Sequence, residues 1–126
     1  MDDSGLPTDV LIVEDNFIIG LDTEMILRDL GVVSVRLAGD TAAALRAIDA
    51  RLPDFALIDI DLGGSSGYDV AAALATRAAP FAFVTGFAEL LALPPQLAGA
   101  TVIEKPYTAD TLRELLQRVR HSSQKV

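Results

Sequence analysis

The sequence predicts an α/β domain, an open and doubly wound sheet of five parallel strands with helices on both faces. Three observations predict it. Five short apolar runs recur along the chain, each bounded by Gly, Pro or Asp and rich in β-branched or aromatic residues. The runs are apolar on both faces, as strands covered by two helical layers are. Stretches with helical spacing separate them, and right-handed crossovers then wind helices onto both sides of the sheet. The 126 residues, 51% hydrophobic and 22% charged, suffice for one such domain with a buried core.

In chain order, the first strand is Val10-Leu11-Ile12-Val13. Asn16 is placed to cap a helix running to Leu30, where Gly31 stops it. Val32-Val33-Ser34-Val35 reads as the second strand. Thr41 to Arg51 is an Ala-rich helix with Leu45, Ile48 and Leu52 on one face, ended by Pro53. Phe55-Ala56-Leu57-Ile58 is the third strand, followed by a helix from Asp69 to Ala79 that Pro80 closes. After the fourth strand, Phe81-Ala82-Phe83-Val84, the pair Pro94-Pro95 interrupts the segment from Phe87 to Gly99. Only one or two helical turns fit there. Thr101-Val102-Ile103 is the fifth strand. The last helix runs from Thr108 to about His121, with Leu112, Leu115, Leu116 and Val119 on one stripe. Residues 1–8 and 122–126 read as tails around a domain over 9–121, and His121, the only histidine, as solvated surface.

Composition excludes several function classes. Eighteen acids against ten Lys and Arg leave a formal charge of −8, which opposes binding to a phosphate backbone and suits a metal cation. The chain has no Cys, so disulfides, thiolate catalysis and Cys-based metal sites are excluded. Met1-Asp2-Asp3-Ser4-Gly5 is acidic where a secretory signal is basic, and no apolar run approaches the ~20 residues of a membrane span. A cytoplasmic, monomeric protein that binds neither nucleic acid nor membrane is the expectation.

A sheet of this kind gathers its ligands outside the carboxyl ends of the strands. There stand Glu14-Asp15 after the first strand, Asp59 and Asp61 after the third, Thr85-Gly86 after the fourth, and Glu104-Lys105-Pro106 after the fifth. Crowded carboxylates repel one another, and a hard divalent ion such as Mg²⁺, which takes oxygen ligands, relieves this. A hydroxyl and an ammonium beside a metal-bound carboxylate suit in-line phosphoryl transfer onto that carboxylate, with an aspartyl phosphate as product.

These residues resemble a family. Val13-Glu14-Asp15-Asn16, Leu57-Ile58-Asp59-Ile60-Asp61-Leu62, Val84-Thr85-Gly86 and Glu104-Lys105-Pro106-Tyr107 look like a response-regulator receiver domain, over essentially the whole chain. The resemblance implies a flavodoxin/CheY-like (βα)5 fold with strand order 2-1-3-4-5, a short or irregular fourth helix and a cis Lys105–Pro106 bond. It implies Asp59 as phosphoacceptor, with Mg²⁺ held directly by Asp15, through water by Glu14, and by the backbone carbonyl of Asp61. Thr85 is then expected to bond the phosphoryl group and Lys105 to pair with it. A histidine kinase or histidine phosphotransfer protein is the implied donor.

The sequence departs from the family pattern in places. Gly63-Gly64 stands where many receivers have Pro, and Val102 where most carry a switch aromatic. Phe83-Val84-Thr85-Gly86-Phe87 resembles the "FAT GUY" subgroup, although Val84 and Ala88 stand where that motif has Ala and Tyr. That subgroup lacks the strand-five aromatic and often partners unorthodox histidine kinases. Movement of Thr85 is therefore expected to reorder the segment from Gly86 to Gly99, which contains Phe87.

The first helix carries two apolar stripes. Ile19, Ile26 and Leu30, with Thr23 between them, are expected to cover the sheet. Ile18, Leu21 and Met25 form a second stripe, which either packs under the last helix or docks a kinase or phosphotransfer helix pair. An alternative reading is a haloacid-dehalogenase-type phosphatase, whose Asp-x-Asp motif Asp59-Ile60-Asp61 resembles. In that family the motif lies on the first strand and the acid pair comes later. The sequence-level expectation is a stand-alone receiver without an output domain among these residues, or a receiver portion of a longer regulator. It is expected to serve as a phosphoacceptor by self-phosphorylation and autodephosphorylation chemistry and not as an enzyme.

Overall fold

The computed structural model describes residues 6–60, 67–87 and 93–124. Among them five parallel strands form one sheet in the order β2-β1-β3-β4-β5: β1 (Asp9–Val13), β2 (Ser34–Ala38), β3 (Phe55–Asp59), β4 (Phe81–Thr85) and β5 (Thr101–Glu104). Four α-helices accompany them: α1 (Phe17–Leu30), α2 (Thr41–Ala50), α3 (Gly67–Thr76) and α4 (Ala109–Gln124). The doubly wound architecture and the strand order agree with the sequence reading.

Alternation along the strands decides which layer each side chain joins. Val10, Ile12, Leu57 and Val84 pack with Leu27 of α1 and Leu112, Leu115 and Leu116 of α4. Their neighbours Leu11, Val13, Ile58 and Phe83 pack on the other face with Ala44 and Ile48 of α2 and Val70 and Leu74 of α3. The central strands β1 and β3 are buried throughout, which is why their apolar runs are continuous.

Local chemistry sets the helix ends. The Asn16 side chain accepts the N–H groups of Ile18 and Ile19 at the start of α1, and Gly31 closes it at φ 116°, a left-handed conformation that favours glycine. Gly67, which opens α3, has a different reason to be glycine. A Cβ there would lie 2.9 Å from Ile58 Cγ2 and 3.0 Å from the Asp59 carbonyl oxygen. The bare backbone lets α3 start against the end of β3, directly beside Asp59.

The structure corrects several boundaries. Strand β2 begins at Ser34 and runs to Ala38, whereas the apolar run Val32 to Val35 suggested an earlier start. Val32 is buried before the strand and Val33 is exposed. An edge strand alternates and tolerates Arg36, so the longest apolar run was the wrong guide. Helix α3 spans Gly67–Thr76 instead of Asp69 to Ala79, and α4 extends to Gln124. In α2 the buried residues are Ala44 and Ile48, while Leu52 is exposed. The buried face of α1 is Gly20, Thr23 and Leu27, with Ile26 and Leu30 half-buried beside them and Ile19 at the exposed border. In the fourth connection, Pro95–Leu97 forms a single 3₁₀ turn with Leu97 buried. No described helix is long and apolar enough to cross a membrane.

Candidate functional site

The parallel register brings the chemistry-bearing residues to one edge. Strand β1 pairs with β3, so Glu14 and Asp15, which follow Val13, emerge next to Asp59, which follows Ile58. One carboxylate oxygen from each of Glu14, Asp15 and Asp59 lies within 4.8 Å of the others. Asp59 is only 4% exposed and the Glu14 side chain 7%, whereas Asp15 lies open to solvent. Lys105, immediately after β5, reaches across β4 to place Nζ 2.7 Å from Asp59 Oδ2 and 3.6 Å from Glu14 Oε1.

The electrostatics follow from this count of charges. Among the described residues three carboxylates converge and Lys105 approaches two of them, so the site carries a negative excess in a partly desolvated place. Glu14 shows the cost, its carboxyl being raised from 4.5 to about 7. Burial is the largest cause, and the Asp59 carboxylate adds to it. The Asn16 N–H, donated to Glu14 Oε2 at 3.1 Å, and the Lys105 ammonium pull the other way. An all-oxygen cluster with excess negative charge fits a hard divalent cation, and these three residues could hold one.

The other predicted residues are placed as follows. Thr85 ends β4, one residue beyond Val84, the register partner of Asp59. It is 1% exposed, its hydroxyl accepts the Phe87 N–H at 3.1 Å, and its carbonyl accepts the Lys105 N–H at 2.9 Å. Phe87 itself is exposed. The Lys105–Pro106 bond is cis, as the sequence motif implied. Ile18, at 74%, and Met25, at 63%, are the more open members of an exposed stripe that includes Leu21, so this stripe does not pack under α4. Val102 is half-buried against the core behind α3. Asp61, Gly63, Gly64 and residues 88–92 lie outside the described residues, and with them the Asp61 carbonyl and the middle of the segment expected to move.

Sequence reasoning missed the joint between α1 and the lysine loop. Thr23, buried on α1, has its Oγ1 2.6 Å from the hydroxyl of Tyr107. Burial raises the Tyr107 hydroxyl above its ordinary 10. The signal was available: a Thr inside an apolar helix stripe must find a polar partner when buried.

Comparison with known proteins bears on the same residues. The response regulator receiver domain family matches residues 10–117. The chain is 33% identical over 88 residues to the transcriptional regulatory protein PdtaR of Mycobacterium tuberculosis, a match covering 69% of this chain and 43% of PdtaR. It is 32% identical over 105 residues to the phyllosphere-induced regulator PhyR of Methylorubrum extorquens, covering 81% of this chain and 39% of PhyR. The chain thus spans less than half the length of these relatives. Among solved structures, the receiver (REC) domain of Erythrobacter litoralis PhyR superposes with a TM-score of 0.79 at 29% identity, over 90% of this chain and 89% of that one.

Proposed function

Because the chain belongs to the response regulator receiver domain family of two-component systems, we propose that Asp59 accepts a phosphoryl group from a histidine kinase or histidine phosphotransfer protein, with Mg²⁺ at the acid cluster. The observation that carries this reading is the convergence of Glu14, Asp15 and Asp59 with Lys105 Nζ 2.7 Å from Asp59. One Asp59 oxygen forms the new O–P bond as the N–P bond of the phosphohistidine breaks. The electron pair leaves with the imidazole nitrogen, which takes a proton. Lys105 moves from the carboxylate to an oxygen of the transferred group, and the Thr85 hydroxyl donates to another. Glu14, Asp15 and Asp59 would hold Mg²⁺, and the ion would supply positive charge for the phosphoryl oxygens.

On this reading the protein is a phosphoacceptor and not a turnover enzyme, and it acts in the cytoplasm by relay or by contact with a partner protein. The exposed stripe of Ile18, Leu21 and Met25 lies on the helix that follows the acid pair, which suits it to dock the helical donor. The test is intact mass after incubation with a small phosphodonor and Mg²⁺. Wild type should gain a single phosphoryl mass and Asp59→Asn none. Gain by the Asn variant, or steady turnover of a phosphate monoester, would contradict the assignment.

A further inference from the structure

We propose that Thr23 and Tyr107 are positioning residues that hold Lys105 over Asp59, an inference that rests on the phosphoacceptor reading above. Lysine carries its charge on a flexible four-carbon stem, so the position of its ammonium depends on where the loop holds its backbone. The loop after β5 is tied at two described points. On one side the Lys105 N–H donates to the Thr85 carbonyl at 2.9 Å. On the other, two residues later, the Tyr107 hydroxyl meets Thr23 Oγ1 at 2.6 Å.

The direction of that second bond follows from counting protons. A threonine hydroxyl has one proton to give, and Thr23 Oγ1 donates it to the Ile19 carbonyl at 3.1 Å. Tyr107 is therefore the donor, and the chain of donation runs from the lysine loop through Thr23 into the first turns of α1. The same helix end orients Glu14, because the N–H of its cap Asn16 donates to Glu14 Oε2 at 3.1 Å. One helix terminus thus references both an acid of the site and, through Tyr107, its ammonium.

Packing alone does not require this pair. Thr23 sits in an apolar face beside Leu27, where Val would fill the same volume without a hydroxyl to satisfy. The Tyr107 ring lines a small gap with Glu14, Asp59, Leu57 and Val84, a place that Phe would fill equally well. Two hydroxyls that shape does not demand, one buried on Thr23 and one on the half-buried Tyr107, are here tied to the loop that presents the lysine.

The experiment is a double-mutant cycle on the rate at which Asp59 is phosphorylated by a small phosphodonor with Mg²⁺. Tyr107→Phe and Thr23→Val should each slow labelling about 3- to 10-fold, the range one neutral hydrogen bond supports. Thr23→Ser, which keeps the hydroxyl, should restore the wild-type rate. In a Lys105→Ala background Tyr107→Phe should change nothing further, since the tyrosine acts through the lysine. A merely structural role predicts the full loss in both backgrounds, and that result overturns the proposal. So does an unchanged rate in the otherwise wild-type protein. The Lys105 side-chain ammonium resonance gives a second readout: visible through its bond to Asp59 in wild type, it should broaden in Tyr107→Phe, and persistence overturns the proposal. If wild type takes no phosphoryl group at all, the phosphoacceptor reading falls and this one with it. Labelling of wild type with an unaffected Tyr107→Phe removes only the positioning role.

Discussion

Replacing Glu14 by Gln should make the metal-free protein more stable. The Glu14 carboxyl is raised from 4.5 to about 7, chiefly by burial and further by Asp59. At 1.36 kcal/mol per tenfold change in proton affinity, the gap amounts to about 3 kcal/mol. The sign is the reverse of the common carboxylate case. The folded state holds this proton more tightly than the unfolded chain, so Glu14 lends its full contribution below pH 4.5. That contribution drains away as pH climbs towards 7 and is gone above it. Gln is neutral throughout and can still accept the Asn16 N–H, but it gives up the attraction to Lys105 at 3.6 Å. At pH 8 with chelator, Glu14→Gln should therefore exceed wild type by about 1–3 kcal/mol, roughly 5–10 °C in midpoint for a chain of this size. At pH 5 the two should nearly coincide. If the acid cluster holds Mg²⁺ as proposed, added Mg²⁺ should then stabilise wild type more than the variant, because a cation held only by the folded cluster favours the folded state. Urea melts at the two pH values decide the matter. A variant no more stable than wild type at pH 8, or a gap that does not shrink in acid, would refute the crowding argument.

Other perturbations probe the scaffold and the surface. Gly67→Ala places a methyl 2.9 Å from Ile58 Cγ2 and 3.0 Å from the Asp59 carbonyl; it should cost about 1–3 kcal/mol in urea unfolding and also slow Asp59 labelling. Asp9→Asn removes the carboxylate that Arg36 meets at 2.8 Å and Arg51 at 3.3 Å, so stability should fall by about 2–3 kcal/mol while labelling of Asp59 is spared. Ile18→Asn with Met25→Gln alters two exposed side chains; phosphotransfer from a protein donor should slow while labelling by a small phosphodonor continues at the wild-type rate. Equal losses in the two assays would point to damage to the fold.

The legibility of this chain follows its physics. Central strands announce themselves because β1 and β3 are buried on both faces and are apolar at every position except their end residues Asp9 and Asp59. Edge strand β2 is half-exposed and carries Arg36, so its true span, Ser34–Ala38, is written in pairing that no apolar run reveals. The acid cluster was readable because each motif sits at a strand end, and parallel pairing carries such ends to one edge without further information. The Thr23–Tyr107 bond joins residues 84 positions apart and depends on how α1 is rotated against the sheet. Periodicity placed the covering stripe on Ile19, Ile26 and Leu30 with Thr23 between them; Thr23 is buried and Ile26 and Leu30 pack against the core, but the helix also turns Gly20 and Leu27 inward and leaves Ile19 at the border. Gly20 explains the difference: a Cβ there would lie 3.3 Å from Leu37 Cδ2, so the small residue lets the helix sit close, and hydrophobicity alone gives it no weight.

Strand β1 joins two opposite electrostatic designs. At its amino end, Asp9 is met by Arg36, Arg51 and the Ser34 hydroxyl, and its backbone N–H is bound by Asp54. Among the described residues two acids there stand against two guanidiniums. At its carboxyl end, five residues of strand later, Glu14, Asp15 and Asp59 stand against Lys105. The backbone favours acids at this edge, since α1 begins there and the N–H of its cap Asn16 donates to Glu14 Oε2. The imbalance at this edge adds to burial in raising the Glu14 carboxyl, and so costs stability. It also supplies what a cation and an incoming phosphoryl group need, namely ligands that gain by being neutralised and an ammonium already in place to follow the charge.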